Sequence, residues 1–245
     1  MELRLCALYP EQMNIYADRG NILLLRRRCE WRGIRFEYSA SGPGDPLDPA
    51  AHDLLYMGGG QDRDQRIVAA DLVRTKRKAL AEATEDAAVL LAVCGGYQLL
   101  GHSYQLGDER IEGLGLADLE TVRAPGPRLI GNVEIEVDVD GEPRRLAGFE
   151  NHGGRTHLGP EATPLGRVIR GFGNNGEDRQ EGVRRRNVIG TYLHGPLLPK
   201  NAWFADRLIQ LALARRQGSE PELDPLDDSL EGAAHEAAHR AAMRG

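Results

Sequence analysis

Residues 88 to 102, AVLLAVCGGYQLLGH, decide how the rest of the chain is read. Val89, Leu90, Leu91, Ala92 and Val93 form a continuous apolar run without alternation, the pattern of a central parallel strand covered on both faces. The run stops at Cys94 and two glycines, after which Tyr97, Leu99 and Leu100 continue in a stretch of helical composition. A reactive side chain therefore stands at a strand-to-helix turn, a nucleophile elbow with Cys in the place that hydrolases give to Ser. Gly95 and Gly96 relieve crowding in such a turn, and the first N–H groups of the following helix favour the thiolate. A free thiol taken alone is usually an inert buried residue. The apolar strand, the Cys-Gly-Gly turn and the helix together favour a nucleophile.

Upstream of the elbow the chain alternates strand and helix. Leu3, Leu5, Ala7 and Leu8 predict a first strand, and Asp18 is a candidate N-cap for a helix through about Arg32, closed by Gly33. Ile34 to Tyr38 reads as a second strand, followed by a Gly/Pro/Asp loop from Ser41 to Asp48. His52 to Met57 reads as a third, running straight into Gly58-Gly59-Gly60-Gln61-Asp62. One long amphipathic helix from about Arg63 to Glu85 then leads to the elbow strand. This grammar predicts right-handed crossovers, a mainly parallel sheet flanked by helices, and a site at the carboxyl ends of the strands.

Downstream the grammar changes. Leu116 to Val122, Leu129 to Val139, Arg144 to Asn151 and Gly166 to Gly171 alternate and are separated by turns such as Val139-Asp140-Gly141-Glu142, which predicts a smaller antiparallel section, with antiparallel or mixed pairing. Asn187 to Leu193 returns to the buried-strand style and delivers His194. Pro199-Lys200-Asn201 opens a further helix with Phe204, Leu208, Leu211 and Ala212 on one face. We therefore divide the chain into a catalytic domain, 1–217, and a tail, 218–245, comprising an acidic linker and an Ala-rich helix.

The chain has 245 residues and a formal net charge of −6, which suits one large α/β domain and argues against a nucleic-acid binder. Aromatic residues, at 5%, are too few for base-stacking platforms. The basic runs at 26–28 and 184–186 are expected as solvated faces or partner contacts. Cys6, Cys29 and Cys94 fit neither a disulfide framework nor a metal-ligand pattern, so no metal is expected. With no apolar run of spanning length and charges where a signal peptide needs an apolar core, a cytoplasmic protein without membrane insertion is expected.

Cys94 and His194 each follow a buried-style strand, and a parallel sheet can bring two such ends together as nucleophile and general base. The backbone N–H of Gly95, with one from Gly58 or Gly59, offers an oxyanion hole.

The stretches AVCGGYQLLG, YMGGGQD, GFENHGG and TYLHGPLLPKN together resemble the class I, triad-type glutamine amidotransferases, in the cobyric acid synthase-like branch with its flavodoxin-like fold. Within that branch, the length and the run GFGNNGEDRQEG are most similar to the glutaminase subunits of lipid II isoglutaminyl synthases. The resemblance covers residues 3 to 215 and implies that Cys94 attacks the side-chain amide of L-glutamine and releases ammonia. It implies a heterodimer with a Mur-ligase-like subunit, which carries ATP and Mg and uses the ammonia to amidate D-glutamate in the lipid II stem peptide; no cofactor is expected in this chain. It also places Arg128 on the substrate carboxylate, with Gln98, Asn151 and His152 as further substrate-binding candidates.

Two departures from the family pattern stand out. Ala92 replaces the glycine two residues before the nucleophile, a small change for the turn. In place of His-Pro-Glu the chain has His194-Gly195-Pro196, so the carboxylate that orients the histidine is missing from its usual place. We expect it from the partner subunit, with Glu150 or Asp53 as alternatives within the chain. An amidation of another acceptor, such as a corrinoid carboxylate, and a non-catalytic scaffold on the same fold are the competing functions.

Two matches are declined. His235-Glu236-Ala237-Ala238-His239 has zinc-protease spacing but lies in a terminal Ala-rich helix with no third ligand in view. Gly171, Gly173 and Gly176 match a dinucleotide fingerprint, but no apolar helix begins after them.

Overall fold

The apolar runs sort into one sheet because strands with nothing polar to present must be covered on both faces. In the computed structural model of the chain, which describes residues 1–14, 19–123 and 125–244, they form a six-stranded sheet. Its order is β13, β14, β4, β3, β1, β2. Strands β1 (Glu2–Leu8), β2 (Arg35–Ser41), β3 (Leu54–Met57), β4 (Val89–Val93) and β14 (Val188–Thr191) run parallel. Only β13 (Val183–Arg185), at the edge, is antiparallel. Every residue of β3, β4 and β14 is buried, as their unbroken apolar composition demands.

Helices α1 (Arg19–Trp31), α2 (Asp62–Asp71), α3 (Arg77–Glu85) and α5 (Ala202–Gln217) accompany this sheet, and the short α4 (Gly95–Leu99) follows the elbow. Gly33 closes the first crossover with φ 66°, while its expected N-cap, Asp18, lies outside the described residues. The single helix expected over 63–85 is interrupted by a π-helical turn at Leu72–Lys76. Inside it Lys76 is fully buried, its Nζ donating to Asp71 Oδ2 at 3.0 Å and to Gly42 O at 2.9 Å. Tyr9 donates to the same carboxylate at 2.8 Å, so a buried charge is held by partners that a regular helical pattern does not reveal.

The second half builds two four-stranded sheets. One, in the order β12, β11, β8, β9, is antiparallel throughout: β8 (Leu129–Val139) and β9 (Glu142–His152) form a long hairpin, with β11 (Gly166–Arg170) and β12 (Gln180–Glu181) beside it. The hairpin turns at Asp140 and Gly141, φ 55° and 87°, where left-handed backbone matches the strand twist. The other sheet has the order β10, β7, β5, β6, from β5 (Ser103–Leu106), β6 (Glu109–Glu112), β7 (Leu119–Arg123) and β10 (Gly154–Leu158).

The tail is tied down along its course. Arg28 is fully buried and bonds Asp206 and Asp228 at 2.5 and 2.6 Å, and Arg32 holds the carbonyl of Asp224 at 2.7 Å. Helix α6 (Ser229–Arg244) lies on β8 and β9. Its two motif histidines both serve this docking: His235 Nδ1 lies 2.9 Å from Lys200 O, and His239 Nδ1 2.5 Å from the buried carboxylate of Glu134. Among the described residues no helix is long and apolar enough to cross a membrane.

Candidate active site

Cys94 ends β4 with φ 52° and ψ −107°, a conformation that costs a non-glycine residue about 1–3 kcal/mol. The surroundings hold it there. Its N–H donates to Thr191 O at 2.8 Å, its carbonyl accepts from Gln98 N–H at 3.1 Å, and Gly96 N–H donates to Gly58 O at 3.1 Å. A Cβ at Gly96 would stand 2.7 Å from Met57 O, so glycine is required for the elbow to approach the preceding loop. Gly58 therefore contributes its carbonyl as a fastener. Gly60 N lies 3.0 Å from where a Gly95 Cβ would be, which brings the second loop's backbone against the elbow.

Cys94 lines a narrow cavity together with Gly60, Gln65, Gln98, Tyr104, Arg123, Arg128 and His152. Arg128 is aimed by Asn151, which accepts from its guanidinium through the side-chain and backbone oxygens, both at 2.7 Å. His152 stacks on Tyr192 with ring centroids 3.5 Å apart, and its Nδ1 lies 2.8 Å from Gly154 O. Gln98 donates to Tyr192 Oη at 3.2 Å, and that hydroxyl is 2.7 Å from Thr156 Oγ1. A wider depression between His102, Asp118, Glu161 and Arg185 contains neither Cys94 nor His194.

His194 stands three residues beyond β14, the strand next to β4, so both reach the same carboxyl edge of the sheet. It is fully buried and pinned to Phe149 by two backbone hydrogen bonds, of 2.9 and 3.1 Å. Burial, followed by the positive charges of His152, Lys200 and Arg128, pushes its pKa down to about 4.

Neither in-chain carboxylate considered as a substitute reaches it. Phe149 and His194 are bridge partners and share a face, so the next residue, Glu150, points the other way. Both Glu150 oxygens are taken by the N–H groups of Phe172 and Gly173, at 2.7 and 2.9 Å. Asp53 precedes β3, at the opposite end of the sheet, and is bound to Arg4 at 2.7 Å.

Residues 4–202 match the CobB/CobQ-like glutamine amidotransferase domain. The chain belongs to that family. This amidotransferase is 40% identical over 230 residues to the GatD subunit of the glutamine-hydrolyzing lipid II isoglutaminyl synthase of Streptococcus pneumoniae, covering 94% of this chain and 87% of that one. It is 39% identical over 231 residues to the corresponding Staphylococcus aureus subunit, covering 94% and 92%. A probable cobyric acid synthase of Methanothermobacter thermautotrophicus is 33% identical over 208 residues, but only 38% of that protein is covered. PurLQS of Thermotoga maritima shares the fold, with a TM-score of 0.56, 21% identity, and 87% and 98% of the two chains covered. A glutamine amidotransferase of the same organism aligns with a TM-score of 0.52 at 18% identity, over 99% of this chain and 96% of that one.

In the amidotransferase the expected residues divide by role. Cys94, Gln98, Arg128 and His152 line one cavity, Gly95 adjoins Cys94, and Asn151 stands behind Arg128. Gly58 holds the elbow from behind, and Gly59 lies between it and the cavity-lining Gly60. His194 is not among the groups lining the cavity; it is buried beside Phe149. The cavity also takes in Gly60, Gln65, Tyr104 and Arg123, which carry no expected role. Gly60 lies within the GGGQD stretch; Gln65, in the helix that follows it, and Tyr104 and Arg123, on strands, belong to no motif.

Proposed function

We propose that the chain is the glutaminase subunit of a two-component lipid II isoglutaminyl synthase. The observation that carries this reading is the 39–40% identity to two such subunits over nearly the whole chain. The cobyric acid synthase relatives, matched over a smaller part of their length, give less support to a corrinoid acceptor.

In this reaction the Cys94 proton passes to His194, and the thiolate attacks the side-chain carbonyl carbon of L-glutamine. The oxyanion is received by backbone N–H groups of Gly95 and the Gly58–Gly60 loop. The carbon–nitrogen bond breaks as the His194 imidazolium returns a proton to the leaving nitrogen, which departs as ammonia. Water then attacks the γ-glutamyl thioester, His194 takes its proton, and glutamate leaves with the thiol restored. Arg128 pairs with the substrate α-carboxylate. Burial leaves His194 neutral at pH 7, the state in which it accepts a proton.

The ammonia is used by a Mur-ligase-like partner that holds ATP and Mg, activates the α-carboxyl of D-glutamate in the stem peptide, and yields D-isoglutamine. That partner supplies the carboxylate that orients His194. The sequence His194-Gly195-Pro196 in place of His-Pro-Glu, and the backbone N–H groups of Phe172 and Gly173 that hold Glu150, support this division of the site.

Glutaminase activity of wild type and Cys94→Ala, each with and without the ligase subunit, tests the reading. Activity should rise at least about tenfold on adding the subunit and vanish in Cys94→Ala. Equal wild-type activity in both conditions would remove the shared triad, and activity surviving in Cys94→Ala would remove the mechanism.

A further inference from the structure

Gln65 is 2% exposed, sits on the first turn of α2, and has no part in the reaction described above. The nitrogen end of its carboxamide packs against the elbow: a Cβ at Gly95 would lie 2.2 Å from Nε2 and 3.1 Å from the amide carbon. Its stem packs against the other loop, since a Cβ at Gly60 would lie 3.5 Å from Cγ. One side chain thus fills the seam between the two backbones that supply oxyanion donors.

We propose that Gln65 is a positioning residue for amide hydrolysis, tying the Gly58–Gly60 loop to the Cys94 elbow so that their N–H groups keep the spacing the tetrahedral intermediate requires. The inference rests on the glutaminase reading.

The tie continues as a hydrogen-bonded relay. Gln65 Nε2 donates to Gln98 Oε1 at 2.9 Å, which fixes the Gln98 amide so that its own Nε2 donates to Tyr192 Oη at 3.2 Å. Gln98 lies one turn beyond Cys94, and Tyr192 two residues before His194. The relay therefore joins Gln65, the elbow and the histidine segment through side chains that must reorient together, while the Gln65 stem packs against Gly60. A glutamate at 65 would set an acceptor against Gln98 Oε1, and an apolar residue would fill the seam without orienting anything. The narrow fit also explains why position 95 carries glycine.

The test uses the full chain with its ligase subunit, in wild type, Gln65→Met and Gln65→Asn. Three readouts are taken: steady-state glutaminase kinetics, labelling of Cys94 by 6-diazo-5-oxo-L-norleucine, and alkylation of Cys94 by iodoacetamide. Gln65→Met should lose about 10- to 100-fold in kcat with KM within about twofold, because a misplaced donor acts on the transition state. Diazo-ketone labelling should slow in parallel, while iodoacetamide, which needs no oxyanion donors, should react within about twofold of wild type. Gln65→Asn keeps the amide but is one methylene short. It should fall between the two, and it carries the test if Gln65→Met does not fold.

An unchanged kcat would overturn the proposal. So would a raised kcat with lowered KM, which would mean that the amide obstructs the substrate. Equal slowing by both reagents would also overturn it, by showing general disorder of the elbow. A wild type that the diazo-ketone does not label removes the glutaminase reading and this inference with it; a labelled wild type with an equally fast Gln65→Met removes the inference alone.

Discussion

At His194, burial and charge act in the same direction, and together they depress the pKa to about 4. The unfolded value is near 6.5. Between the two the unfolded chain binds more protons, so the contribution of this residue to stability is present above about 6.5 and is lost as pH falls toward 4. The Cε1 proton of His194, followed by NMR in the isolated chain, should titrate with a midpoint near 4. Adding the ligase subunit should move that midpoint upward, since an incoming carboxylate favours the imidazolium. An unmoved midpoint would contradict a shared triad. Asn151 gives a second expectation at this scale. It aims an exposed guanidinium through two contacts, one of them from its side chain. Asn151→Ala removes one hydrogen bond to a charged group, worth about 1.5 kcal/mol, so KM for glutamine should rise about tenfold with kcat little changed.

Elements differ in how far their own composition specifies them. The buried strands β3, β4 and β14 and the β8–β9 hairpin were legible because unbroken apolar runs and an Asp-Gly turn are local signals. Strands β5, β6 and β10 carry no such signal: each is short and carries polar residues, and β5 and β10 are held in their sheet by pairing with β7. The π-helical turn was hidden for a similar reason, since Lys76 reads as a surface residue until Asp71, Tyr9 and Gly42 O surround it. The tail belongs here too. Its composition suggested a linker, yet Asp228 shares the buried Arg28 with Asp206, and His239 shares the buried Glu134 with Arg145. Truncation after Gly218 would remove one partner from each buried charge. Urea unfolding should show a loss on the order of 2–4 kcal/mol, reduced by the partial exposure of Asp228. A truncated chain of unchanged stability would show that the docking of α6 contributes nothing net.

Over the whole molecule, the site lies where the parallel strands of the large sheet end and the second half folds back upon them. The first half supplies Cys94 and both glycine segments; the second supplies Arg128 and His152 to the cavity, Asn151 behind Arg128, and the buried His194. The strand–helix alternation of the first half, the parallel sheet, the elbow and the family are determined by the sequence itself, because each depends on contiguous residues: apolar runs, glycine at a turn, a motif around one cysteine. Tertiary structure alone decided what distant residues do to one another. It turned Glu150 away from the histidine by strand alternation and gave its oxygens to Phe172 and Gly173. It held Asp53 at the far end of the sheet, placed Gln65 in the seam between two loops, and docked a terminal helix through its histidines. Orientation and shared burial are properties of side chains brought together across the fold, and no local pattern encodes them.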